Sequence, residues 1–84
     1  MPTTTDVTAM RTQIDELDDA LVELVQRRRE VSAAIQTARL AIGGGRVAPG
    51  REAEILDRYA HALGEHGPDL ARAVLAVCRG PVTD

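Results

Sequence analysis

The chain has 84 residues, a net charge of −3 and a single aromatic residue, Tyr59, which describes one small domain, residues 1–84, whose core must be built from Leu, Ile, Val and Ala. Every basic residue is an arginine, yet the acidic balance and the lack of a basic stripe interleaved with aromatics argue against a nucleic-acid partner. The single cysteine excludes an intrachain disulfide framework and no cysteine/histidine spacing suits zinc, while the N-terminal run, neither cationic nor apolar, predicts no signal peptide or membrane span and a cytoplasmic location.

Thr3 to Asp6 offer several N-caps. From Met10 to Ile42 an apolar residue recurs at alternating steps of four and three with neither Gly nor Pro, which predicts one helix of about 35 residues and roughly 50 Å. A rod of that length cannot be wrapped by the rest of an 84-residue chain, so a second copy is expected to cover part of it. One position of the seam is wrong: Arg28 stands where a hydrophobe should. A guanidinium removed from water needs an anion, supplied by the protein or by a ligand. Its neighbours Arg27 and Arg29 point elsewhere around the helix and read as a solvated face.

Gly43-Gly44-Gly45 ends this helix; without the motif context of a P-loop, the glycines do not suggest a nucleotide site. Pro49 suits the first turn of a second helix, whose stripe Ile55, Leu56, Tyr59, Ala60 and Leu63 runs to a stop at Gly64. Gly67-Pro68-Asp69 opens a third, with Leu70, Val74 and Val77 as its stripe and Arg79-Gly80-Pro81 as its end. Cys78 reads as core packing, and His61 and His66 as solvent-facing. The fold class is all-α, a long first helix followed by two shorter ones.

Projected at 100° per residue, Arg28, Ser32 and Arg39 fall within a sector of roughly 40°, and Arg28 and Arg39 lie about 16 Å apart along the axis, a span two arginines could close around a small dianion. Arg11, about 25 Å from Arg28 on the same rod, could join only from a second, antiparallel helix. The second helix is expected to fold back over the first and bring Arg51 and Glu52 to the same place. Four arginines, a carboxylate and a hydroxyl, with no nucleophile–base pair and no metal set, describe electrostatic binding of an anion. Intersubunit salt bridges to Asp15, Asp18 and Glu52 would use the same residues, and spacing alone does not separate the two readings.

The segment Arg11-x-x-Ile14-Asp15-x-Leu17-Asp18-x-x-Leu21-x-x-Leu24-x-x-x-Arg28-Arg29, with Arg39 and Arg51-Glu52 after it, resembles the all-helical chorismate mutases over nearly the whole chain. The resemblance implies an intertwined six-helix homodimer with two equivalent sites, and an isomerase of the shikimate pathway and aromatic amino-acid biosynthesis. It would convert chorismate to prephenate by an intramolecular Claisen rearrangement without a cofactor. It further implies that Arg28 and the other protomer's Arg11 hold the two substrate carboxylates and that Arg39 bridges a carboxylate and the ether oxygen as electrostatic catalyst. Glu52 would accept from the substrate hydroxyl, Arg51 would order the site, and Ser32 would add a minor contact.

The departures from the family pattern are local. Ala48 stands where an acidic residue is usual, leaving its backbone as the contact, and Gln36-Thr37 replaces a common Gly-Lys. The Gln or Glu that commonly meets the ether oxygen from the third helix has no obvious substitute in Arg79-Gly80-Pro81-Val82-Thr83-Asp84. The short third helix and glycine-rich loop resemble the small actinobacterial-type subclass, which implies DAHP synthase as a possible activating partner. The alternatives on the same scaffold are an isochorismate pyruvate lyase, an amino-deoxychorismate mutase, and a noncatalytic docking or regulatory dimer.

Overall fold

The computed structural model describes residues 4–43 and 49–79, which form three helices: α1 (Thr4–Ala41), α2 (Pro49–Leu63) and α3 (Gly67–Arg79). Thr3, Gly44, Gly45, Ala48 and the tail from Gly80 lie outside the described residues. The periodicity of the sequence therefore places all three elements to within a few residues. α1 runs unbroken for 38 residues and accounts for most of the 60 Å long dimension of the molecule. The radius of gyration, 17.2 Å, is well above the value of about 12 Å for a compact chain of this length.

α1 and α2 each end where a glycine allows. At the end of α1 the amides of Ile42 and Gly43 donate to the carbonyls of Arg39 and Leu40 at 3.2 and 3.1 Å, a tightening of the last turn that uses carbonyls the helix would otherwise leave open. Gly43 completes that turn at φ 82°, and Gly64 closes α2 at φ 87° with its amide 2.9 Å from the Ala60 carbonyl, a left-handed conformation that disfavours a side chain. Asp6 near the start of α1 and Arg39 in its last turn both lie favourably along the helix dipole.

The packing differs from the sequence expectation in one respect. α2 does not fold back onto α1; α3 packs against both other helices, and no backbone contact between α1 and α2 is present among the described residues. The short Gly64–His66 connection makes α2 and α3 antiparallel neighbours, and α3, the more apolar of the two, takes the place against α1. Its buried stripe is Ala71, Val74 and Cys78, joined by Ile55 of α2. Of the anticipated stripe only Val74 is buried; Leu70 and Val77 remain 47% and 46% exposed, because α3 is apolar over more of its circumference than one contact face needs. Cys78 is a core residue, and both histidines are exposed.

Gly67 makes the α2–α3 approach possible. It is buried, and a Cβ there would fall on the backbone carbonyl of Tyr59 and crowd the Ala60 nitrogen. Gly67→Ala is expected to destabilise the fold by about 1–3 kcal/mol, read from urea unfolding at fixed protein concentration; unchanged stability would show that the two helices can separate without cost.

An arginine-lined cleft as the candidate active site

The C-terminal half of α1, the first turn of α2 and the end of α3 enclose a cleft of about 640 Å³. Arg28, Arg29 and Arg39 line it from α1, Arg51 and Glu52 from α2, and Arg79 from α3. Glu52 is the sole carboxylate facing these five guanidinium groups among the described residues, in a chain whose net charge is −3. Ile35, Ile55, Leu75 and Cys78 complete an apolar wall, which lowers the local dielectric and strengthens each charge interaction made there. Such a cleft is built to hold an anion with more than one negative group.

Arg28 and Ser32, one turn apart, are half-buried and share the cleft face with Arg39. Arg28 makes no ion pair and no side-chain hydrogen bond to any described residue. Asp15 and Asp18 do not reach it within the chain. A cation partly withdrawn from water without a protein anion is costly unless a ligand supplies one. Arg28 also borders a second, almost wholly apolar cavity of about 390 Å³ between Leu21, Leu24, Tyr59, Leu63 and Val74, so it stands at the boundary between a charged pocket and an uncovered apolar groove.

On the α2 side, the Arg79 guanidinium Nη2 donates to Oε2 of Glu52. The two side chains are 36% and 30% exposed, so this pair is screened less than the surface pairs Arg72–Asp69 at 3.1 Å and Arg51–Glu54 at 3.5 Å. The second of those draws Arg51 along its own helix toward Glu54, with its side chain 57% exposed at the mouth of the cleft.

The residues picked out from sequence thus divide into three groups. Arg28, Ser32, Arg39, Arg51 and Glu52 come together in the cleft. Arg11 does not: it is exposed on α1, about 25 Å along the helix from Arg28. Ala48 lies outside the described residues. The profile of the chorismate mutase type II family matches residues 10–79.

The chain belongs to the type II chorismate mutase family.

Relatives within it are close. The chain is 44% identical over 84 residues to the intracellular chorismate mutase of Mycolicibacterium smegmatis, covering 95% of this chain and 81% of that one. It is also 44% identical over 75 residues to the intracellular chorismate mutase of Mycobacterium tuberculosis, covering 89% and 70% of the two chains. Among solved structures it superposes, with a TM-score of 0.86 and 32% identity over 94% of this chain and 95% of the other, on a non-covalent complex of DAHP synthase and chorismate mutase from Corynebacterium glutamicum with a bound transition-state analogue.

Two arginines of this chorismate mutase cleft escape a reading by spacing. Arg29 is exposed, as its angle around α1 predicts, yet it borders the cleft. Arg79 reads as the basic end of a short helix, whereas the structure ties it to Glu52. The signal was present in the numbering: Glu52 and Arg79 are equidistant from the Glu65–His66 turn, and an antiparallel helix pair brings such positions opposite one another.

Proposed function

We propose that the chain is a chorismate mutase that acts as a homodimer, using the arginine-lined cleft to rearrange chorismate to prephenate. The observation that carries this reading is the half-buried Arg28 without a protein anion in a cleft of five arginines and one carboxylate. The reaction breaks a carbon–oxygen ether bond and forms a carbon–carbon bond within one molecule, with no net transfer of a proton or electron. Catalysis then rests on holding the compact conformer of a dicarboxylate and placing fixed cations where negative charge develops. Arg28 and the partner's Arg11 hold the two carboxylates, and Arg39 spans a carboxylate and the ether oxygen. Glu52 accepts from the ring hydroxyl, Arg51 orders the site from its mouth, and Ser32 adds a polar contact.

The homodimer is supported by what α1 leaves uncovered. Met10, Ile14, Leu17, Leu21 and Leu24 are between 51% and 59% exposed on one face. The chain exposes 6784 Å² in all, against about 4,900 Å² for a compact monomer of its 9.0 kDa. An excess of that size on each copy matches an obligate helical interface, and an antiparallel α1 pairing carries Arg11 of one copy to Arg28 of the other. Likeness to the Corynebacterium glutamicum chain in its complex supports DAHP synthase as a docking partner. The relatives are named intracellular and no helix among the described residues is long and apolar enough to cross a membrane, which favours an intracellular site of action.

Loss of chorismate absorbance, followed with and without DAHP synthase, tests the proposal. Turnover by the chain, accelerated when the synthase is added, is the expected result. No turnover in either condition would leave a noncatalytic docking dimer.

Arg79 enters this mechanism as the group that holds Glu52. Arg79→Ala is expected to lower kcat about tenfold by releasing that carboxylate, with Arg79→Lys recovering much of the loss. Steady-state kinetics of the two variants check it, and unchanged rates in both would remove the pair from the mechanism.

A further inference from the structure

Arg51 lines the mouth of the cleft, yet its one ion pair among the described residues is with Glu54, Nη1 to Oε1 at 3.5 Å. Glu54 is not part of the cleft wall. It stands one turn further along α2, a spacing at which two helix side chains meet on the outer surface. Five guanidinium groups line this cleft, and its own carboxylate, Glu52, is engaged by Arg79. Cations crowded beside an apolar wall repel one another, so an anion at the rim that draws one of them outward lowers the energy of the free chain. Both side chains of the Arg51–Glu54 pair are largely exposed, which makes the contact weak enough for a ligand to break.

We infer that Glu54 is a positioning residue for Arg51, an internal carboxylate that competes with the dianionic substrate for this guanidinium and so sets the affinity of the cleft. The inference rests on the chorismate mutase reading above and deepens it. A substrate that recruits Arg51 has to replace its contact with Glu54, and the contact given up is subtracted from the binding free energy. Arg51 serves the bound molecule before and during the rearrangement alike. The subtraction is therefore the same for the ground state and the transition state, and it shows in KM and not in kcat. Its size is that of an exposed ion pair, which corresponds to a change of about two- to fivefold in affinity.

Glu54→Gln keeps the shape of the side chain and removes its charge. Its KM for chorismate should fall about two- to fivefold at low ionic strength with kcat unchanged, a gain that no loss of folding could imitate. Asp57→Asn removes the same charge from an exposed position three residues further along α2 and should leave KM where it was. In an Arg51→Ala background Glu54→Gln should have no effect, read as KM and, independently of turnover, as the dissociation constant of prephenate by calorimetry. A KM that stays level or rises in Glu54→Gln overturns the inference, the second because Glu54 would then be aiding Arg51. An equal fall in Asp57→Asn, or a fall that persists without Arg51, overturns it as well, since either would be a general effect of charge. Turnover of chorismate by the unsubstituted chain is the control: if it is present and Glu54→Gln matches it, this inference alone fails; if it is absent, the functional reading fails and takes this one with it.

Discussion

Arg39→Ala is expected to lower kcat about a hundredfold to a thousandfold while KM changes only a few-fold. Arg39 is half-buried in the last turn of α1 and faces the cleft alongside Arg28 and Ser32. Its proposed partner is an oxygen that gains charge only as the bond breaks, so the ground-state complex loses little when the guanidinium goes. The loss is large because a fixed guanidinium aimed at the developing charge needs no reorganisation at the moment of reaction, whereas water taking its place would have to reorient. Arg39→Lys keeps the charge but not the planar fork and should fall between the two. Steady-state kinetics over a chorismate series decide the matter. A rise in KM at constant kcat would make Arg39 a binding residue instead of the electrostatic catalyst.

The second large effect concerns Arg28 and Arg11 together. Each alanine variant should lower kcat/KM about a thousandfold, since removing one partner of a desolvated charge pair costs several kcal/mol. Stability should respond differently. Arg28 has no anionic partner among the described residues, so Arg28→Ala should leave the melting temperature unchanged or raise it, whereas intersubunit salt bridges to Asp15 or Asp18 would make the same change destabilising. Mixing the two inactive variants under subunit exchange then tests the shared site. Half of the dimers carry one chain of each kind and one of their two sites keeps both arginines, so about a quarter of the unsubstituted activity should return. Failure to recover activity after confirmed exchange would place both residues in the site of a single protomer, which the separation of about 25 Å along α1 opposes.

The helices were legible because their signals are local. Period, proline at the first turn and glycine at the end set α1, α2 and α3 without reference to the rest of the fold. Arg28, Ser32 and Arg39 were legible for the same reason, since one rigid helix sets their mutual angle. What spacing could not show was which helix packs on which. Placing α2 over α1 gave Arg51 and Glu52 the right neighbourhood by the wrong route; the structure brings them there through α3, which packs against both. That intermediary also carries Arg79 to Glu52. A contact between two helix ends depends on hairpin register and on the glycine at position 67 that lets the backbones approach, and neither is a property of one helix face.

Arginine, shape and hydroxyl contacts could in principle serve more than one dicarboxylate of the same ring system, so the decisive measurement is the identity of the product. Incubating the chain with chorismate and, separately, with isochorismate, and resolving the products by chromatography and NMR, should give prephenate from the first and no pyruvate from the second. Pyruvate released from isochorismate, with chorismate left intact, would contradict the account.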